Sequence, residues 1–288
     1  MILVAVLSLA TLVVVDDLGR VVSLDKIPEK IVSAAPAATR YLIQLGLQDK
    51  VVGVTDWDPL EGPERIGNMV PLNVEKIVSL SPDLVLTFGG FQAGEVKKLE
   101  KFGIKVLALN PTTLKDILKD LVLLGTVMGV EDLAKSKAEK LENLMLSIAK
   151  DSYKIPLEKR PKVLYLMGTP ESGMKEFWTA VSGSYMNELI NLAGGRNIAA
   201  DVIGPNGWAP ISLEFIVERN PDVIIVANFT PGGEKNVIQK VMDFEPFAGL
   251  NAVKNKRVHT VDGNVASQPS PDLFGILQKL HEIFKGEE

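Results

Sequence analysis

Short apolar runs alternate with amphipathic stretches along most of the chain. The Val- and Leu-rich runs are continuous, which is typical of strands covered on both faces in parallel α/β sheets. Residues 11–24 differ, because they predict a strand, a turn and a second strand. The apolar runs predict strands at 31–35, 51–55, 83–88, 105–109, 162–167 and 257–261. The amphipathic stretches predict helices at 38–46, 74–80, 92–102, 184–194 and 271–285.

One helix–strand unit occurs twice. PLNVEKIVSLSPDLVLTF (71–88) and PISLEFIVERNPDVIIVA (210–227) align without a gap at an offset of 210 − 71 = 139 residues. The aligned positions include Glu75 with Glu214. A chain of 288 residues is long enough for two domains. We therefore predict two similar lobes, each an α/β sandwich with a mostly parallel sheet.

The longest helical pattern lies between the two copies. It breaks at Met128-Gly129, and a second helix of about 21 residues, about 30 Å long, follows from Glu131. We interpret this region as a helical connector, which should limit hinge motion. The predicted organisation is a candidate signal-peptide remnant at 1–10, an N-terminal lobe at 11–112, connecting helices at 113–158 and a C-terminal lobe at 159–288.

The amino terminus favours export. Its apolar run of about fifteen residues is shorter than the roughly 20 needed to span a bilayer. Ser8-Leu9-Ala10 would suit signal cleavage, although no Lys or Arg precedes the run, and a buried strand is the alternative. Because the chain has no cysteine, we expect a periplasmic protein without a lipid anchor.

Composition and motifs give few signs of catalysis. A net charge of −5 without a basic stripe argues against nucleic-acid binding. Neither His259 nor His281 has metal-ligand spacing, and we find no GxSxG, GxGxxG or Walker A motif. The glycine-rich turn FGGFQAG (88–94) lacks phosphate-loop spacing, and the carboxylates of TDWDP (55–59) are typical of a turn.

Aromatic placement indicates a binding cleft. The three tryptophans, Trp57, Trp178 and Trp208, all fall in predicted loops, and Phe88 and Phe91 lie at the end of a predicted strand. Ligands of open α/β sheets bind beyond the carboxyl ends of the strands. We predict that these residues line a cleft, although a loop tryptophan can instead cap a core.

Several motifs together resemble a known family. DDLGRVVSLDKIPEKIVSAAPAATRYLIQLGLQDKVVGVTDW, NVEKIVSLSPDLVLTF, ELINLAGGRNIAAD and WAPISLEFIVERNPDVIIV are similar to segments of class III periplasmic solute-binding proteins of iron-siderophore and cobalamin ABC importers. The resemblance covers nearly the whole chain from Val13. It implies two α/β lobes joined by one long helix, a metal chelate held between them, and docking onto a permease dimer with its ATPase.

The resemblance also assigns roles to individual residues. Glu75 and Glu214 match the glutamates that form salt bridges with permease arginines in the family; each also follows a helix-cap residue, Asn73 or Ser212, where the helix dipole favours a carboxylate. Trp57, Phe88 and Trp208 align with aromatic positions of the cobalamin-binding branch, where Met69 replaces another tryptophan. The expected ligand-binding set is Trp57, Met69, Phe88, Phe91, Trp178, Trp208, Asn264 and Gln268.

The nature of the chelate follows from the few cations in the predicted cleft loops. Arg65 is the nearest candidate, whereas an anionic catecholate would need several cations. Aromatic walls suit a corrinoid or a hydroxamate siderophore. Haem is a third option, with His259, Tyr165 or Tyr185 as ligand. We expect a monomer without an intrinsic cofactor; the rival prediction is a cytoplasmic two-lobed α/β enzyme such as a nucleotide-sugar transferase.

Overall fold

The computed structural model describes residues 11–286, so the candidate signal-peptide remnant at 1–10 lies outside the described residues. Two compact units are present. One comprises residues 11–111 and Lys115–Glu139, and the other comprises Thr112–Leu114 and residues 140–286. No helix among the described residues is long and apolar enough to cross a membrane.

Strands and helices alternate through the first half of the chain, after an antiparallel hairpin. The elements are β1 (Leu12–Val15), β2 (Val21–Leu24), β3 (Ile31–Ser33), α1 (Pro36–Gln44), β4 (Val51–Val54), β5 (Glu64–Arg65), α2 (Val74–Ser79), β6 (Leu84–Phe88), α3 (Ala93–Glu100), β7 (Val106–Leu109), α4 (Leu114–Val127) and α5 (Glu131–Ser152).

The second half continues the alternation with smaller elements inserted. They are β8 (Lys162–Leu166), β9 (Glu176–Ala180), α6 (Tyr185–Leu192), β10 (Arg196–Asn197), β11 (Trp208–Ser212), α7 (Leu213–Arg219), β12 (Val223–Asn228), α8 (Glu234–Met242), α9 (Asn251–Lys254), β13 (Val258–Asp262), α10 (Gly263–Ala266) and α11 (Leu273–Lys285).

Each unit contains one parallel sheet, as predicted. The first has the order β5-β4-β3-β6-β7 and the second has the order β10-β8-β12-β13. Strands β6 and β12 are buried along their whole length, because helices cover both faces, and this explains their continuous apolar sequences. In both sheets the strand order reverses at the central pair, β3–β6 or β8–β12. The next strands in sequence extend the sheet on one side of this pair, and the later strands extend it on the other side.

The doubled segment forms the same structure in both units. In the first unit Ser81 has a φ of 49°, which lets the chain turn sharply between α2 and β6. The Asp83 carboxylate then accepts hydrogen bonds from the backbone amides of Glu29 (2.9 Å) and Lys30 (3.0 Å). This carboxylate fixes the start of β6 against the start of β3.

The second copy repeats these contacts. Asn220 has a φ of 45°, and the Asp222 carboxylate accepts a hydrogen bond of 2.9 Å from the backbone amide of Lys162 at the start of β8. The Pro-Asp pair that recurs in the sequence therefore sets the register of the central strand pair in each sheet.

The connector region forms two consecutive helices, as predicted. Leu114, Ile117 and Leu121 on α4 are fully buried. A Cβ on Gly125 would lie 2.2 Å from the Cβ of Ala134, so the close contact between α4 and the start of α5 requires glycine. Helix α5 is continuous for 22 residues and passes from one unit into the other at Glu139–Lys140.

The loop assignment of Trp178 and Trp208 is wrong. Trp178 lies in β9 and Trp208 begins β11, and these two strands form an antiparallel sheet in which Trp208 pairs with Ala180. The segment EFWTA contains three residues that favour strands, and it buries Phe177 while exposing Trp178. Helix α8 was also not predicted.

Candidate ligand-binding site

The carboxyl edge of the five-stranded sheet presents exposed aromatic side chains. Trp57 lies in the turn that follows β4 and is 68% exposed. Phe91 lies in a short 3-10 helix after β6 and is 60% exposed. Phe88 is buried, with its ring 6.3 Å from that of Tyr41, and Met69 is half-buried. The most exposed of these side chains are therefore Trp57 and Phe91.

A network of hydrogen bonds fixes the turn that carries Trp57. The Arg65 guanidinium donates to the carbonyl oxygens of Thr55 (3.0 Å), Asp58 (2.7 Å) and Leu60 (3.1 Å). Arg65 therefore uses three of its five N–H donors to hold this turn and keeps its positive charge, and its contact with a ligand stays a prediction.

The two carboxylates of TDWDP have different environments. Asp56 is exposed, whereas Asp58 is buried and accepts hydrogen bonds from the Thr39 hydroxyl and the Leu60 amide (2.9 Å). Burial raises the pKa of Asp58, although its hydrogen bonds and the nearby Arg65 oppose the increase. The role of Asp58 is to stabilise the turn, in agreement with the interpretation from sequence.

The glycine-rich turn after β6 is closed by a buried glutamine. Gln92 accepts a hydrogen bond from the Phe88 amide (2.6 Å), and its side-chain amide donates to the carbonyl oxygens of Ala34 and Met69 (both 2.9 Å). These contacts join the end of β6 to the residue that follows β3 and to the loop before α2.

The backbone amides of this turn are also satisfied internally. The Gly89 amide donates to Leu109 (2.8 Å), and the Gly90 amide donates to the Asn110 side chain (3.0 Å). Gly89 has a φ of 73°, and a Cβ there would lie 2.7 Å from the Phe91 ring. The turn therefore positions Phe91 and leaves no row of free amides for a phosphate.

The second unit has an apolar groove at the carboxyl end of β8. The groove has a volume of about 300 Å³, and Met167, Met174 and Trp178 are among the residues that line it. The Met167 amide donates to the Trp178 carbonyl at 3.1 Å, which joins β8 to β9. Trp178 is 55% exposed beside the groove.

Trp208 packs against two buried tyrosines. Its ring centroid lies 5.9 Å from that of Tyr165 and 5.7 Å from that of Tyr185. Burial raises the pKa of both tyrosines, and the Tyr185 hydroxyl donates to the Ala266 carbonyl at 3.1 Å. The tyrosines considered as haem ligands therefore lie under Trp208.

Helix α10, which contains Asn264, and the residues after it, which include Gln268, follow the carboxyl end of β13. The Asp262 carboxylate caps this helix by accepting hydrogen bonds from the amides of Asn264 (2.8 Å) and Val265 (3.2 Å). Asn264 is exposed and Gln268 is half-buried. His259 lies within β13 and is also half-buried.

Sequence reasoning missed two apolar residues at this edge. Phe229 directly follows β12 and is 47% exposed, with its ring above Gly263, where a Cβ would lie 2.8 Å away. Met174 in the loop before β9 is 38% exposed. Phe229 was detectable from sequence, because it is an aromatic residue directly after a buried strand, whereas Met174 carries no comparable signal.

Glu75 and Glu214 occupy equivalent positions in the first turns of α2 and α7. The Asn73 side chain accepts from the Lys76 amide (3.0 Å), and the Ser212 hydroxyl accepts from the Phe215 amide (3.2 Å). Both glutamates are exposed. The pKa of Glu214 is lowered by hydrogen bonds from its own backbone amide and from Ser212, with Lys175 nearby.

The fold and these edges define a class of protein. Two α/β units joined by a long helix present accessible aromatic rings at the carboxyl ends of parallel strands, as in proteins that bind small molecules. Among residues 11–286, no three His, Asp or Glu side chains converge in a group able to hold a metal ion.

Comparison with known proteins identifies the family. The sequence profile described as "Periplasmic binding protein" matches residues 31–265, and the chain belongs to this family of substrate-binding transport proteins. The family resemblance drawn from the sequence motifs is confirmed. These comparisons give no support to the alternative of a cytoplasmic enzyme.

Three relatives show what the chain is similar to. It is 33% identical over 272 residues to an uncharacterized ABC transporter substrate-binding lipoprotein, YvrC, of Bacillus subtilis, covering 91% of this chain and 81% of the relative. It is 27% identical over 270 residues to a cobalamin-binding protein of Halobacterium salinarum, covering 91% and 71%. The solved structure of the periplasmic vitamin B12 binding protein BtuF of Vibrio cholerae matches with a TM-score of 0.72 and 25% identity, covering 90% of this chain and 97% of that one.

The comparisons bear differently on localisation and lipid anchoring. The homologues are extracytoplasmic binding proteins, as the export prediction requires. YvrC is named a lipoprotein, in contrast to the anchor-free protein expected here from the absence of cysteine. The anchor-free state stays a prediction.

Proposed function

We propose that the protein captures a metal chelate, and a corrinoid in particular, outside the cytoplasm and delivers it to the permease of an ABC importer. The observation that supports this most directly is the set of exposed apolar side chains at the carboxyl edges of the two parallel sheets. It consists of Trp57, Phe91, Met174, Trp178 and Phe229. Large planar ligands with little net charge bind to such surfaces through apolar and aromatic contact.

The small number of Arg and Lys residues in the predicted cleft loops favours a corrinoid over a catecholate chelate. Arg65, the nearest predicted cation, donates to three backbone carbonyl oxygens. A ferric catecholate carries several negative charges, and burying them without paired cations would be costly. The names of the Halobacterium salinarum relative and of the Vibrio cholerae structure are consistent with cobalamin as the ligand.

A ligand screen tests the chelate class. Thermal unfolding would be followed with cyanocobalamin, cobinamide, haem, a ferric hydroxamate and a ferric catecholate at equal concentrations. A ligand that binds only the folded state stabilises it by RT ln(1 + [L]/Kd), about 2.7 kcal/mol at a hundredfold excess over Kd. We expect stabilisation by corrinoids; stabilisation by the catecholate alone would refute the proposed ligand.

A matched pair of phenylalanines tests the location of the site. Phe91 is 60% exposed at the carboxyl edge of the first sheet, whereas Phe102 is 63% exposed in the turn that precedes β7, at the amino edge. Phe91→Ala should weaken corrinoid binding by about 1–2 kcal/mol, and Phe102→Ala should leave it unchanged. Equal effects of the two substitutions would place the ligand elsewhere.

We further propose that Glu75 and Glu214 dock the loaded protein onto arginines of the permease. Both carboxylates are exposed at helix amino termini, where solvent screens the helix dipole and keeps their contribution to stability small. The double variant E75Q/E214Q should therefore fold and bind the chelate normally, while its association with the permease and uptake fall sharply, most visibly at low salt.

The control for docking is E139Q/E142Q, which removes two charges from exposed positions on α5. It should associate with the permease like the parent protein. If E75Q/E214Q also supports parental uptake in reconstituted vesicles, the repeated glutamates have only a structural role.

A further inference from the structure

The aromatic contacts of Trp208 form part of a larger arrangement within the second unit. Its half-buried ring meets Tyr165 on β8 and Tyr185 at the start of α6, at interplanar angles of 59° and 67°. Tilted rings at centroid distances below 6 Å make favourable aromatic contacts. The indole is therefore held by two neighbours on two different elements.

The backbone before Trp208 is fixed against the same helix. Gly207 has a φ of 79°, and a Cβ there would lie 2.2 Å from the Ser184 amide nitrogen, so the chain passes directly over the start of α6. The Gly207 carbonyl accepts a hydrogen bond of 2.8 Å from the Val181 amide. Both the backbone leading to Trp208 and the ring itself are thus fixed relative to Tyr185.

Tyr185 also connects this aromatic cluster to α10. Its side chain is 92% buried (8% exposed), and its hydroxyl donates to the Ala266 carbonyl, the last residue of α10, at 3.1 Å. Burial raises the pKa of Tyr185, so the hydroxyl retains its proton. One side chain therefore contacts both Trp208 and the helix that carries Asn264.

We propose that Tyr185 is a positioning residue for ligand binding: it orients the Trp208 indole relative to α10, so that the binding surface of this unit is formed before the ligand arrives. The inference rests on the proposed function together with the prediction from sequence that Trp208 contacts the ligand. Tyr185 acts through Trp208, since its own ring lies beneath the indole. Preorganisation of this kind raises affinity by removing the cost of ordering the side chain on binding.

The test compares Tyr185→Phe with Tyr165→Phe. Both variants keep a ring against Trp208, but only the first removes the hydrogen bond to Ala266. Tyr185→Phe should weaken cyanocobalamin binding about five- to tenfold, because Trp208 and α10 must then be ordered on binding and the lost hydrogen bond sets the scale of that cost. Tyr165→Phe should change binding by less than about twofold, and circular dichroism verifies that both variants fold.

A double-variant cycle separates positioning from direct contact. If Tyr185 acts through Trp208, adding Y185F to W208F should weaken cyanocobalamin binding by no more than about twofold beyond W208F alone. A full five- to tenfold further loss in the W208F background would overturn the proposal, as would a folded Y185F protein with parental affinity.

A ligand-free measurement keeps the inference testable if no corrinoid binds. The chain has three tryptophans, so labelling with 5-fluorotryptophan gives three fluorine resonances, and W208F assigns one of them. Y185F should shift or broaden the Trp208 resonance and leave that of Trp57, in the other unit, unchanged. An unaltered Trp208 resonance would show that Tyr185 does not position it, whereas absence of corrinoid binding by the parent protein refutes only the proposed ligand.

Discussion

The buried carboxyl of Asp120 should make the stability of the first unit depend on pH. Asp120 on α4 is fully buried beside Asp17 in the hairpin turn, and the Lys119 ammonium lies 2.6 Å from Asp17 but 3.4 Å from Asp120. Burial, and then the charge of Asp17, raise the pKa of Asp120 from 3.8 to about 8, although Lys119 opposes the increase. The buried Tyr41 hydroxyl also lies within the field of both carboxylates.

The sign of the effect follows from this pKa. Because the pKa in the folded state is the higher one, the folded protein holds more protons than the unfolded chain between pH 3.8 and about 8. Stability is then greatest below the unfolded pKa and falls by at most about 1.4 kcal/mol per pH unit as the pH rises through this window. At pH 7 the free energy of unfolding is therefore lower than at acid pH by about 4 kcal/mol, because pH 7 lies 7 − 3.8 pH units above the unfolded pKa.

Asp120→Asn removes this titration while keeping the shape of the side chain. Urea unfolding of parent and variant is followed by circular dichroism from pH 5 to pH 8. The free energy of unfolding of the variant, relative to that of the parent, should rise by up to about 1.4 kcal/mol per pH unit. The slope is the informative quantity, because the asparagine amide near Lys119 changes the absolute stability as well. Asp132→Asn at an exposed position of α5 is the control. Parallel pH profiles of parent and D120N would refute a neutral Asp120.

Three further substitutions test how the candidate site is held. Gln92→Ala removes three buried hydrogen bonds and should destabilise the protein by at least about 2 kcal/mol in urea unfolding, whereas a loss below 1 kcal/mol would contradict its role in closing the turn. In Arg65→Lys the lysine cannot donate to three carbonyl groups with the same planar geometry, so the turn that carries Trp57 should become more mobile. The resonance of 5-fluorotryptophan at position 57 should then broaden. An unchanged line width would show that Arg65 does not fix this turn. Gly207→Ala, at a φ of 79° and against Ser184, should lower the melting temperature by several degrees, and parental stability would mean that this loop readily relaxes.

The local sequence determined the alternation of strands and helices and the duplication. Continuous apolar runs predicted parallel strands covered on both faces, and the fold confirms this. The repeated Pro-Asp pair was visible as a pattern, but its contacts are long-range: the Asp83 and Asp222 carboxylates accept hydrogen bonds from the amides of Lys30 and Lys162 at the start of the neighbouring strand. The alternation and the duplication were predictable because hydrophobic periodicity and internal similarity can be read directly along the chain.

Pairing between distant segments was decided by the tertiary structure. EFWTA became a strand because it pairs with residues 208–212, about thirty positions later, and β propensity depends strongly on such a partner. The same pairing placed Trp178 and Trp208 on strands instead of loops. No periodicity within either segment specifies that contact.

The roles of polar residues also depended on the fold. The sequence identified Arg65 only as the cation nearest to the predicted cleft, whereas in the fold three carbonyl groups from residues 55–60 converge on its guanidinium. Asp120 occupies an ordinary polar position in a helical pattern, yet in the fold it is fully buried and the hairpin turn brings the half-buried Asp17 beside it. Charge and hydrogen-bonding state are set by desolvation and by neighbours in space, which the order of residues along the chain does not specify.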